Sequence, residues 1–229
     1  MKPKIIVPFP GKSATCGKRR AFTLVELLAV VAIIGILGAV VFGTMQSVKR
    51  RARLAGCANN FRQIYIGIQL YTNDHARKLP GPLTGGQHVR YPSNTKYQLV
   101  DYLSPYVSVS ILGGSPSAAD IMTCPAWKDE ISDFENGCSY EAYAGFLTMD
   151  DGNLQKPFGY PNWSDQNKNE QPVALLRIPN ATKVWMLRDL DQVGTPSYVG
   201  RSDTPARPVH GSVRNYLYFD GHVAAVPVN

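Results

Sequence analysis

Acidic residues are scarce in the first third of this chain. Residues 1–21 hold six bases (Lys2, Lys4, Lys12, Lys18, Arg19, Arg20) and no acid, and residues 49–62 hold five more (Lys49, Arg50, Arg51, Arg53, Arg62), again with no acid. The overall charge of +7 is therefore local, because the 167 residues after position 62 carry 13 bases against 16 acids. A nucleic-acid-binding head needs a concentrated basic footprint, and that part of the chain lacks one. Catalytic signatures are missing as well. There is no GxSxG, no glycine-rich phosphate loop, no HExxH and no Cys-His nucleophile arrangement, so no enzymatic activity is expected. Internal repeats and low-complexity tracts are absent. Four cysteines are too few to prescribe a disulfide framework.

What is present is a long apolar run. From Leu27 to Met45 no residue is charged, over about the ~20 residues that a helix needs to cross a bilayer. One carboxylate, Glu26, stands at its start, with five residues between it and the basic triplet Lys18-Arg19-Arg20. An ionisable group at the edge of a membrane helix is costly and marks a functional position. Bases before the span favour a cytoplasmic N-terminus and an exported remainder, although the second cluster at 49–53 argues the other way. From Gln46 to His75 proline is absent, and Leu54, Ala58, Phe61, Tyr65 and Ile68 recur at spacings of three and four. One helix is expected to run from 22 to about 75, ended by Leu79-Pro80-Gly81-Pro82, with Gly35, Gly38 and Gly43 as weak points.

Lys18-Arg19-Arg20-Ala21-Phe22-Thr23-Leu24-Val25-Glu26-Leu27-Leu28 resembles the processing site of type IV prepilins and type II secretion pseudopilins. The resemblance implies cleavage between Ala21 and Phe22 by a prepilin peptidase, N-methylation of Phe22, and an assembly role for Glu26. In that role the carboxylate pairs with the amino group of a neighbouring subunit's Phe22. The family usually has glycine before the cut; Ala21 is small, so slower or ordinary processing is expected rather than none. The resemblance further implies an inner-membrane, single-pass anchor, an assembly platform protein and ATPase, and other pilin-like subunits as partners, with no nucleic acid among them. It divides the chain into a cleaved leader (1–21), a membrane and filament-core helix (22–45), an amphipathic continuation (46–79) and a periplasmic or extracellular head (80–229). An ordinary secretory signal peptide is the rival reading, with cleavage near position 44.

In the head, turn residues dominate. A short helix is expected over 95–103 with Ser93 or Asn94 as cap, strands over 121–125, 139–148 and 183–187, and long loops at 150–172 and 191–208. The chain closes with two β-rich runs, 215–219 and 222–226, joined by Asp220-Gly221, a strong hairpin signal for which a type I′ turn is expected. The expected fold class is α+β and pilin-like: a long N-terminal helix packed on a small antiparallel sheet with long loops.

His210, nine residues and then Asp220-Gly221 also resembles the C-terminal H-x9-DG segment of a prepilin-like subfamily. Cys57 to Ile64, Cys124-Pro125 and Pro179 to Asp189 fit the same subfamily. That subfamily implies no reaction. His210, Asp220 and His222, with or without Asp189, are candidate ligands for a divalent cation, although a plain turn accounts for Asp220-Gly221. No other cofactor is expected. Cys124 and Cys138 flank a short segment and either close a disulfide in an exported head or remain two thiols. Aspartates at 150–151 and at 189 and 191 lack the alternation of a calcium loop and are read as polar turns. A second reading of the whole chain is a membrane-tethered module whose aromatic residues bind carbohydrate.

Overall fold

Between Leu24 and Asp74 no proline interrupts the chain, and in the computed structural model these residues form one α-helix, α1. The structure describes residues 23–91, 95–108, 111–112, 118–131 and 137–228. Two units can be distinguished, Met1–Gln46 and Ser47–Asn229, and α1 contributes to both. Gly35, Gly38 and Gly43 do not break the helix, and a side chain at any of the three would meet open space.

In the first unit the helix is apolar all round. Its most hydrophobic 18-residue window is 0% buried and is long and apolar enough to cross a membrane. Leu27, Ile34, Leu37 and Phe42 are all exposed. A helix with this surface has no protein core of its own to enter and needs lipid or other helices around it.

The second unit holds the core. From Cys57 onward α1 buries Cys57, Phe61, Ile64, Gly67, Ile68 and Thr72. The stripe is rotated slightly from the expected one. Phe61 and Ile68 are central, but Leu54, Ala58 and Tyr65 sit at its half-buried margin, and Cys57 and Ile64 complete the middle. The helix stops at Asp74, before the Leu79-Pro80 signal. Ala76 and Arg77 take φ of 52° and 64°, and Arg77 N–H donates to the Thr72 carbonyl at 2.8 Å, which closes a Schellman-type end without glycine. Leu79 is thereby free to bond Val173, 2.9 Å away.

The remaining elements are short. They are β1 (Gly86–His88), α2 (Leu99–Leu103), β2 (Ile111–Leu112), β3 (Ala118–Ala119), β4 (Cys138–Ala142), β5 (Leu147–Thr148), β6 (Leu154–Gln155), β7 (Trp185–Asp189), β8 (Val213–Tyr218) and β9 (Val223–Pro227). Strands β1, β4, β7, β8 and β9, in that order, form one antiparallel sheet of five strands, whereas β2–β3 and β5–β6 are separate two-stranded ribbons. The α+β, pilin-like architecture is thus the observed one: the long helix packs on the antiparallel sheet.

Register assigns the two faces of the sheet. Tyr140 lies opposite Asp189, Ala142 opposite Leu187, and Leu187 opposite Leu217, and these residues face α1, where the Phe61 and Tyr140 rings sit 4.6 Å apart. Glu141, Arg188 and Tyr216 form the next row on the opposite face. A bulge between Trp185 and Leu187 lets two consecutive residues, Met186 and Leu187, both be fully buried while Trp185 turns outward.

Three local expectations are corrected. The 95–103 helix starts only at Leu99, because Tyr97 has φ 69° and Gln98 is extended; Ser93 and Asn94 lie outside the described residues. The 121–125 strand is a 3-10 turn at Asp120–Met122, and only Ala118–Ala119 before it is extended. The terminal hairpin is present, but its turn is a type I turn followed by a glycine bulge. Gly221 N–H donates to Tyr218 O at 2.9 Å, Tyr218 N–H donates to His222 O at 3.0 Å, and only Gly221 has positive φ, at 91°.

Candidate functional site

The first candidate position is the start of α1. Thr23 precedes the helix, and three residues on stands Glu26, which is the spacing of a capping box. The geometry is complete. Thr23 N–H donates to Glu26 Oε2 at 2.9 Å, Thr23 Oγ1 donates to the same oxygen at 3.0 Å, and Glu26 N–H donates to Thr23 Oγ1 at 3.2 Å. Two free backbone donors at the helix end are thereby satisfied. Glu26 therefore has an occupation inside its own chain, which the sequence reading missed although Thr-x-x-Glu announces it. The carboxylate remains on an exposed surface, so a neighbour can still reach it. Ala21 and Phe22 lie outside the described residues.

The second candidate is buried where α1 meets the sheet. Cys57 of the helix and Cys124 of the 3-10 region are joined by a disulfide. The expected alternative, Cys124 with Cys138, is corrected: Cys138 is free, buried in β4 against Gly86 and near Asp203. Burial pushes its thiol up to about 12, the Asp203 charge adds to the effect and Arg201 opposes it, so it stays protonated and inert. Cys57 is preferred as partner because Cys124 enters the core on the helix side. There Asn60 Nδ2 donates to the carbonyls of Asp120 and Thr123 at 3.1 and 3.0 Å and pins the segment to α1.

His210 lies against this bridge. Its Nε2 is 3.4 Å from Cys124 Sγ and 3.5 Å from Asp189 Oδ2, and both residues are buried. Asp189 Oδ2 also accepts the Asn215 N–H at 2.7 Å. Burial acts on the two groups in opposite directions. It lifts the Asp189 carboxyl to about 7, against the Asn215 hydrogen bonds, and lowers the His210 imidazole to about 4. Both tend toward the neutral form.

Asp220 and His222 are elsewhere, exposed at the hairpin turn, where His222 Nδ1 and Asp220 Oδ1 are 2.6 Å apart and the His222 ring stacks on Tyr218. The proposed His210, Asp220, His222 cation site is therefore corrected, because His210 is paired in the core and the other two with each other. The nine-residue spacing separates a core group from a turn. Gly221 explains the turn: any Cβ there would enter the Tyr65 ring of α1, so glycine is required by contact as well as by φ. Among the described residues, Cys57, Cys124 and His210 have donor atoms within 4.8 Å of one another, but the disulfide occupies both sulfurs. Asp191 holds Arg214 in a two-point ion pair and accepts Gly194 N–H at 2.8 Å, and Asp151 holds Arg177 at 2.6 Å; both are structural turns.

A third feature is aromatic. On the sheet face away from α1, Tyr143, Trp185, Tyr216 and Tyr218 make successive ring contacts of 4.9, 6.1 and 6.4 Å, and the Arg188 guanidinium lies 4.8 Å over Trp185.

Residues 16–42 match the family model described as the prokaryotic N-terminal methylation motif. The chain carries a type IV pilin-like N-terminus. The match contains the capped start of α1, Glu26 and most of the exposed apolar run, so the pilin-like motif and the observed helix coincide. The match covers 27 of the 229 residues, and the helix that begins within it is long and apolar enough to cross a membrane; prepilin peptidase and other pilin subunits are the partners that such a motif implies. Comparison with curated proteins and with solved structures gives no match.

Proposed function

We propose that this chain is cut between Ala21 and Phe22, methylated at Phe22, and polymerised by a platform protein and ATPase. The product is a type II secretion pseudopilus or a type IV pilus-like filament. It acts by assembling and not by turning over a substrate. Before assembly it resides in the inner membrane, with a cytoplasmic N-terminus and the head on the far side. The observation that carries this reading is the helix Leu24 onward, apolar on every side, unburied and opened by Glu26, inside the methylation motif. Removing such a surface from lipid into a bundle of like helices costs little apolar exposure, and a carboxylate at its edge sets register by pairing with an amino group. N-terminal sequencing and mass of the mature chain test the processing step: a methylated Phe22 is expected, and a start near position 44 would overturn the reading. Filament incorporation tests the second step. Glu26→Gln preserves the hydrogen bonding of the capping box but not the charge, and is expected to be processed yet left out of filaments.

A second reading, a tethered carbohydrate-binding module, is favoured by the Tyr143–Trp185–Tyr216–Tyr218 row with its arginine. Retention of the chain on polysaccharide columns, lost in Trp185→Ala, would support it; equal retention of both chains would remove it.

A further inference from the structure

Lys49, Arg50 and Arg51 follow Met45 on the same uninterrupted helix and are exposed. Among the described residues none of the three has a carboxylate partner, and the sequence holds no acid between Glu26 and Asp74. Arg53, farther along, is engaged by the head through an ion pair with Asp129. At ~1.5 Å per residue Lys49 lies about 6 Å and Arg51 about 9 Å beyond Met45. The headgroup layer on one side of a bilayer is roughly 5–8 Å thick, and long basic side chains reach back toward it. Successive residues turn by about 100°, so the three side chains leave the helix in directions spread over about 200°.

We infer that Lys49, Arg50 and Arg51 form a collar that binds anionic phospholipid headgroups on the head side of the bilayer. The inference rests on the reading of residues 24–45 as a membrane span. The spread of directions selects the occupant. A protein or a duplex meets a helix from one side and leaves part of such a ring unengaged, whereas a fluid layer of headgroups surrounds it. The collar therefore adds a lipid-specific term to an anchor that is otherwise held by apolar burial alone, and the subunit gives that term up when it leaves the bilayer.

The full chain in neutral detergent, examined by native mass spectrometry with added phosphatidylglycerol or phosphatidylcholine, tests this. Phosphatidylglycerol is expected to be retained in preference. Arg50→Gln should weaken that preference about fivefold, and Lys49→Gln, Arg50→Gln, Arg51→Gln together about 100-fold. Arg53→Gln should leave it unchanged. Equal retention of the two lipids, or a preference untouched by the triple variant, overturns the collar. So does displacement of the phosphatidylglycerol by a short DNA duplex. Flotation with pure phosphatidylcholine vesicles separates the two levels: a chain that floats without lipid preference overturns the collar alone, and one that does not float overturns the span.

Discussion

At the scale of single residues, Glu26 caps its own helix and has a proposed assembly role, and substitutions can separate the two. Thr23→Val removes the capping hydroxyl and leaves the charge; it should cost the helix start about 0.5–2 kcal/mol and still permit filament assembly. If Glu26→Gln, which keeps the capping-box hydrogen bonds, still entered filaments, capping alone would account for the glutamate. His210 and Asp189 give a second residue-level prediction. With folded values of about 4 and about 7 against ordinary values of 6.5 and 3.8, the folded pair holds one proton between pH 4 and 6.5, and so does the unfolded pair. Their contributions to the pH dependence of stability cancel in that window. Single variants expose them with opposite signs. In Asp189→Asn only the depressed His210 remains, and stability is lost as pH falls below 6.5. In His210→Ala only the raised Asp189 remains, and stability is lost as pH rises from about 4 to about 7. Each slope approaches about 1.4 kcal/mol per pH unit, readable from urea midpoints across pH. Parallel slopes in the two variants would contradict the assignment. The sequence showed Glu26 through its isolation among apolar residues. It could not show the His210–Asp189 contact, because the approach of β7 to the loop before β8 is a tertiary fact.

At the scale of elements, α1 and the terminal hairpin were legible because their signals are local: unbroken apolar periodicity for one, Asp-Gly between β-formers for the other. The turn type was not, since the Tyr65 ring beneath Gly221 lies on a helix and is 156 residues away in the chain, and it fixes how the turn sits. Gly221→Ala should destabilise the head by about 1–3 kcal/mol from the positive φ alone, with an added steric cost that Tyr65→Ala relieves. A double-mutant cycle should show coupling, and strict additivity would show that the contact is unimportant. The α1 C-terminus falls within a residue of the expected 75, but Ala76 and Arg77 close it in the left-handed conformation, ahead of the Leu79-Pro80 signal. Cys57→Ser removes a cross-link spanning 67 residues and should lower stability by about 4 kcal/mol in the chain-entropy account, measured by thermal or urea unfolding against the oxidised parent.

For the whole molecule, the division of labour follows from where burial lies. Every residue of the described hydrophobic core falls between Cys57 and Phe219, with partly buried neighbours reaching only to Val223. A fragment Ser47–Asn229 should therefore be soluble and unfold cooperatively, with the near-ultraviolet circular dichroism of the full chain; a molten fragment would show that the apolar half of α1 is needed for the fold. The methylation motif was readable from one end because it lies in contiguous sequence. The head's chemistry was not, because its polar groups are assembled from β4, β7, β8 and the loops between them.

The Cys57–Cys124 bridge has a mechanical consequence. Tension applied through the apolar half of α1 reaches Cys57 before it reaches the helical turns from Ala58 to Asp74. At Cys57 it passes by a covalent bond into the segment that carries Cys124, which Asn60 ties to the same helix. The head cannot be peeled from the helix from that end by breaking non-covalent contacts one at a time. In an extended fibre under pull, the oxidised subunit should yield along the helix between the span and Cys57, while its sheet stays folded.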